Sequence, residues 1–171
     1  LLHQRAGMWY EQNGFTDEAI EHALCIEDYQ RAADLIEAYV DDIWQFRDRG
    51  RLRRWLEQLP VELIYANPNL CILHAANLFT GGQTNESEQY LQAAKQVLDP
   101  HNPFETGTVP VKLEHLSDND RKKLWGRAAA VRAQLVSYQG DETGSIQHAR
   151  QALENLPGSD PTWRWWALET L

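Results

Sequence analysis

Cysteine, methionine and positive charge are all scarce in these 171 residues. Two cysteines, Cys25 and Cys71, are too few for a disulfide framework. Both fall on helix-like apolar stretches, where a free cysteine behaves as a small buried hydrophobe. With 16 basic residues against 25 acidic ones and a net charge of -9, the chain lacks the surplus of Lys and Arg by which proteins grip phosphate backbones. Direct contact with nucleic acid is therefore not expected. No apolar run approaches the roughly 20 residues that cross a bilayer, so no membrane association is expected and the expected place is the cytoplasm. No G-x-x-x-x-G-K-[ST] loop occurs, so nucleotide binding is not assigned to these residues. The six histidines have no nucleophile motif near them, and the expectation is a chain with no catalytic residues and no cofactor. His22 with Cys25, and Cys71 with His74, are each three apart and together form a conceivable zinc set. Packing at repeat positions already explains both pairs, so no metal is expected.

What the sequence does have is helical periodicity punctuated by glycine. From Gly126 to Pro157, Ala129, Ala133 and Val136 recur at helical spacing before Gly140, and Ile146, Ala149, Ala152, Leu153 and Leu156 do so after it. That pattern predicts two amphipathic helices folded back on Gly140, with Asp141 capping the second and Pro157 ending it. Gly14 and Gly82 stand in the same setting. Seven residues before each turn are Gly7, Ala75 and Ala133, all small, and four before are Tyr10, Leu78 and Val136. Five after are Ala19, Ser87 and Ser145. Gly14 and Gly82 are 68 residues apart, twice the roughly 34-residue period of a tetratricopeptide repeat.

The expected fold is all-α: a right-handed superhelical stack of antiparallel helical hairpins in one domain, 1–171, with turns at Gly14, Gly50, Gly82 and Gly140. Thr16 is expected to cap the helix after Gly14, and a helix is expected to start at Glu27-Asp28. The segment 99–117, with Pro100, Pro103, Gly107 and Pro110, reads as a long loop between helices. Asp118 to Trp125 reads as a piece preceding the fourth hairpin, and Trp163 to Leu171 as the start of a fifth. The chain opens mid-pattern at Leu1 and stops at Leu171 within a helix-like run, so a fragment of a longer protein is expected.

Several stretches carry a more specific resemblance: HQRAGMWYEQNGFTDEAIEHALCIEDYQRAADLIE at 3–37, RLRRWLEQLP at 51–60, NPNLCILHAANLFTGGQ at 67–83, and YQGDETGSIQHARQALENLPGSDPTWRWWALETL at 138–171. Together they resemble the helical repeat region of MalT-like transcriptional regulators, the large ATP-dependent activators of the STAND class with a LuxR-type DNA-binding domain. In that family a signal-transduction ATPase precedes this region and a helix-turn-helix follows it. The resemblance implies an inducer-sensing and oligomerisation domain, with other domains of the same regulator as partners. The alternative is a generic protein-interaction scaffold with no small-molecule ligand.

In stacked hairpins the first helix of each pair lines the concave surface. Trp44, Arg47, Phe79 and Gln134, with adjacent Tyr138, are the candidates for a ligand- or partner-binding face there, combining rings for stacking with polar groups for hydrogen bonds. Sugars, nucleosides and peptides all suit such a set, and the inducer's identity is not legible. The competing reading packs these aromatics on the next hairpin. Arg49, Arg51, Arg53 and Arg54, beside Arg47 and between Trp44 and Trp55, form a second candidate: a contact with another domain or an anion, set against an ordinary solvated helix face. Trp163, Trp165 and Trp166 read as core or as cover for a further repeat.

Overall fold

A computed structural model describes residues 7, 9–46, 49–99 and 116–171, and the side chains of 40–46 are outside that description. Nine helices fall among the described residues: α1 Thr16–Cys25, α2 Tyr29–Phe46, α3 Arg49–Gln58, α4 Val61–Tyr65, α5 Pro68–Thr80, α6 Thr84–Leu98, α7 Asp118–Tyr138, α8 Glu142–Asn155 and α9 Pro161–Leu168. No strand occurs among these residues, and no helix of them is long and apolar enough to cross a membrane. The chain divides into two compact units, Leu1–Ile64 and Tyr65–Leu171. Of the 99–117 loop, residues 100–115 lie outside the described residues; at its edges α6 ends at Leu98 and Ser117 caps α7.

The three turn glycines share one geometry. Gly14, Gly82 and Gly140 have φ of 78°, 81° and 84°, a region an L side chain enters only against a Cβ clash. Around each, the next residue's N–H reaches back to the carbonyl of the large residue four before the glycine: Phe15 to Tyr10 at 2.9 Å, Gln83 to Leu78 at 2.9 Å, and Asp141 to Val136 at 3.1 Å. This is the six-to-one bond of a Schellman motif, which satisfies a carbonyl that the helix end would otherwise leave unpaired. A fourth turn of this kind has no glycine. Glu27 takes φ 61° and Asp28 donates to the Ala23 carbonyl at 2.9 Å, so α2 begins at Tyr29 rather than at Glu27-Asp28.

The small residues seven before the turns let paired helices touch. Ala75 and Ala133 are fully buried, and the Ser87 and Ser145 hydroxyls, five residues past their turns, donate to the Ala75 and Ala133 carbonyls at 2.7 and 3.0 Å. The same hydroxyl-to-carbonyl bridge thus ties α5 to α6 and α7 to α8. In the first unit a Cβ on Gly7 would meet the His22 Cβ at 3.6 Å, an ordinary van der Waals contact. Ala133→Leu is accordingly expected to cost about 1–3 kcal/mol through overpacking. A chemical-denaturation midpoint that does not move would place Ala133 outside this contact.

Other expectations need correction. Gly50 is not a turn: it is the second residue of α3, and Arg49 already belongs to the helix. Phe15, not Thr16, is the N-cap of α1, and it makes no side-chain capping bond. Asp141 does cap α8, accepting from the Gly144 N–H at 2.9 Å. Asn67 caps α5 by accepting from Asn69 and Leu70, with Pro68 in the first turn where its missing N–H costs nothing. Asp118 to Trp125 is no separate piece, because α7 runs unbroken from Asp118 to Tyr138. Gly126 lies inside α7 because an added Cβ would stand 2.8 Å from the Leu156 Cγ and 3.0 Å from its backbone nitrogen. Cys71 is buried as expected, whereas Cys25 is exposed.

The first unit packs Ala19, Ile20, Ala23 and Leu24 of α1 against Ala32, Ala33 and Ile36 of α2, with Leu52, Trp55 and Leu56 of α3 completing its core. In the second unit α5 is buried at every position from Leu70 to Leu78, as the central helix must be. The helix α9 closes the far side with Trp163, Trp166 and Ala167.

Candidate functional site

Of the five residues expected on a concave face, the structure brings three together. Trp44 and Arg47 fall in the first unit; the Trp44 side chain and all of Arg47 lie outside the described residues. Phe79 at the end of α5, and Gln134 and Tyr138 near the end of α7, converge in the second unit. They do so because all three precede a turn glycine by a few residues on neighbouring first helices. The Phe79 ring centroid is 6.3 Å from that of Tyr138 at 86°, and 6.3 Å from that of Trp166 at 70°, both edge-to-face arrangements favoured by the ring quadrupoles. The Gln134 Nε2 donates to the Trp166 carbonyl at 2.9 Å. Phe79 and Gln134 are thus engaged with α9, as the packing reading requires, while Tyr138 is 74% exposed. The aromatic surface left for a partner is the Tyr138 ring with the flank of Phe79.

The arginine cluster of α3 is largely occupied within its own unit. Arg51 pairs with Asp17 of α1, and Arg53 pairs with Glu57 one turn on at 2.7 Å. Arg49 is half-buried, and Arg54 is exposed. Exposed pairs of this kind contribute little to stability, about 0–1 kcal/mol, so their replacement is open to a partner's carboxylates. Trp55, which flanks the cluster in sequence, is fully buried and donates to Glu21 Oε1 at 2.6 Å. Trp163 and Trp166 are buried, and only Trp165, 52% exposed, faces outward.

Among the described residues no group of three or more His, Cys, Asp or Glu is placed to hold a metal ion. Burial pushes the Cys71 thiol up to about 12, so by itself it stays protonated near neutrality. His22 is stacked on Tyr10, 5.3 Å between centroids, which accounts for its place in the repeat.

Sequence reasoning missed a cavity of about 390 Å³ between α6, α7 and α8. Its apolar lining is Leu91, Ala128 and Ala129, with the half-buried Trp125 as an aromatic wall. Its polar lining is Lys95, Arg132, His148 and Gln151. The small side chain at 129 was legible as part of a helix-contact stripe, but which side of α7 would stay open was not.

No protein-family model matches the chain, and no solved structure matches it significantly. It is 27% identical over 156 residues to the HTH-type transcriptional regulator MalT of Cronobacter sakazakii, a match that covers 91% of this chain. It is 32% identical over 69 residues, 40% of this chain, to the serine/threonine-protein kinase PknK of Mycobacterium tuberculosis. The chain spans 15% of the length of that regulator and 6% of that of the kinase. The similarity to MalT, extending over almost all of these residues, marks a helical region of the kind associated with a regulator.

Proposed function

We propose that this chain is the inducer-sensing and assembly region of an ATP-dependent bacterial transcription regulator of the LuxR type. In this reading it is cytoplasmic, non-catalytic and free of cofactors, and it does not contact DNA itself. The observation that carries the reading is the similarity to MalT across 91% of the chain. The three repeated glycine turns and the Ser-to-carbonyl bridges support a tetratricopeptide-like arrangement, because units tied at the same offsets stack in a regular sense and generate a right-handed superhelix. Repeat arrays of this kind bind partners along the helices that line one face, and Tyr138 beside Phe79 is the exposed aromatic part of that face here. An inducer or a peptide from a neighbouring domain would stack there; Trp44 and Arg47 of the first unit remain candidates by themselves.

The similarity to a kinase over 69 residues favours keeping one other reading, a protein-interaction scaffold without a small-molecule ligand. The two separate in a thermal-shift screen of the chain against a metabolite panel. A sensor gains stability by RT ln(1 + [L]/Kd), whereas a scaffold responds only to protein. Tyr138→Ala is expected to leave the denaturation midpoint within about 0.5 kcal/mol of wild type, since the ring is largely solvated. In the intact regulator the same substitution is expected to weaken the inducer- or partner-dependent response of ATP hydrolysis and promoter binding at least about tenfold, a loss of roughly 1.4 kcal/mol of binding. An unaltered response would remove this face from the site.

A further inference from the structure

We infer that the cavity between α6, α7 and α8 is a binding site for a small organic anion with a one- or two-ring apolar body. The inference stands apart from the regulator reading and from the Tyr138 surface. It begins with the repeat. In the hairpin of α5 and α6 the residues eight before and eight after the turn glycine are His74 and Tyr90, whose rings meet edge to face at 4.4 Å, and Tyr90 is stacked on Tyr65 at 5.1 Å. At the same offsets the hairpin of α7 and α8 carries Arg132 and His148. Among the described residues His148 makes no ring contact, whereas its counterpart His22 is stacked on Tyr10 and its counterpart Tyr90 on Tyr65. The space that aromatic packing fills in the preceding repeat is thus left open here, at about 390 Å³, inside the roughly 300–1,000 Å³ range of ligand pockets.

The lining states the chemistry. Every charged side chain in it is cationic, in a protein of net charge -9. Lys95 is exposed and has no acidic partner among the described residues. Arg132 is bound through Nη1 to Glu88 Oε1, outside the lining, and one carboxylate oxygen accounts for only part of the five N–H donors of a guanidinium. His148 and the Gln151 amide add donors at the rim, while Leu91, Ala128 and Ala129 give an apolar floor and Trp125 a ring to stack on. A dry void is lined by apolar groups, whereas this lining also carries hydrogen-bond donors. A carboxylate, sulfonate or phosphate head beside Lys95 and Arg132, with its rings against Trp125, uses both halves of the lining.

The test is isothermal titration of the chain with benzoate and 2-naphthoate, each beside its neutral amide. One of the two acids is expected to bind one per chain and at least tenfold more tightly than its amide. Lys95→Gln with His148→Gln is expected to bring acid and amide within threefold of each other, with an unchanged thermal transition showing that the fold is kept. His148→Tyr, which installs the side chain of the preceding repeat, is expected to abolish binding of both. The inference is overturned if neither acid binds in preference to its amide, or if His148→Tyr, still folded by circular dichroism, binds the acid as wild type does.

Discussion

Asp160→Ala is expected to destabilise the second unit by about 3–5 kcal/mol, the usual result of stranding one member of a buried ion pair. The Asp160 Oδ2 accepts from Arg127 Nε at 2.8 Å, with the two side chains 2% and 4% exposed. Arg127 also donates from Nη1 to Asn69 Oδ1 at 3.4 Å, and its guanidinium sits 5.3 Å from the Trp163 ring centroid. One arginine of α7 therefore joins the cap region of α5 to the start of α9. Asp160 stands at the N-cap of α9 but makes no capping bond, so its loss is the loss of the pair and not of a cap. Lys123, 3.7 Å away and partly exposed, approaches the same oxygen but cannot replace a fork donor. Urea unfolding checks the size of the effect. Replacing both partners, Arg127→Met with Asp160→Leu, is expected to recover most of the loss, because a buried pair exchanged for apolar groups of similar volume is often neutral. A double variant as unstable as Asp160→Ala would mean that the polar network itself holds α5, α7 and α9 in place.

That pair also marks where the sequence stops being legible. The turns at Gly14, Gly82 and Gly140 could be read because positive φ selects glycine and the flanking offsets repeat. The helix contacts at Ala75 and Ala133 could be read because close approach selects small side chains. Glu27 adopts the same turn with an ordinary side chain, and no composition rule reveals that. The hairpin read from the sequence begins at Gly126, yet that glycine lies inside α7, in close tertiary contact with Leu156. Arg127 and Asp160 are 33 residues apart and share no motif, so only the packing of α9 on α7 brings them together. The candidate site was legible in the same measure. Offsets from the turns placed Phe79, Gln134 and Tyr138 on one surface, but that α9 would occupy Phe79 and Gln134 depended on Trp166, a residue outside the regular offsets. The cavity beside Trp125 arises from two repeat positions that break the aromatic pattern, a difference visible only once the preceding hairpin's rings are seen in contact.

The second large effect is expected in the first unit, where Trp55→Ala should cost about 3–5 kcal/mol. In sequence Trp55 only flanks the arginine cluster that is a candidate contact for another domain or an anion. Instead its position on α3 shares a face with Leu52, Leu56 and Leu59, and the indole is fully buried. The arginines between these positions point outward, which is how a helix of low mean hydropathy still supplies a core wall. The indole N–H reaches Glu21 Oε1 of α1 at 2.6 Å, so Trp55 also ties α3 to the helix that follows Gly14. Those two contributions separate by substitution. Trp55→Phe keeps most of the apolar area and loses the hydrogen bond to an exposed carboxylate that water can resolvate, so it is expected to cost only about 0.5–1.5 kcal/mol beyond the smaller volume. Glu21→Gln, which keeps an acceptor but removes the charge, is expected to cost less again. Hydrogen exchange of α1, α2 and α3 is the direct readout, since loss of the indole should speed exchange along all three helices. If Trp55→Ala protects these amides as well as Glu21→Gln does, the ring is not the centre of this core.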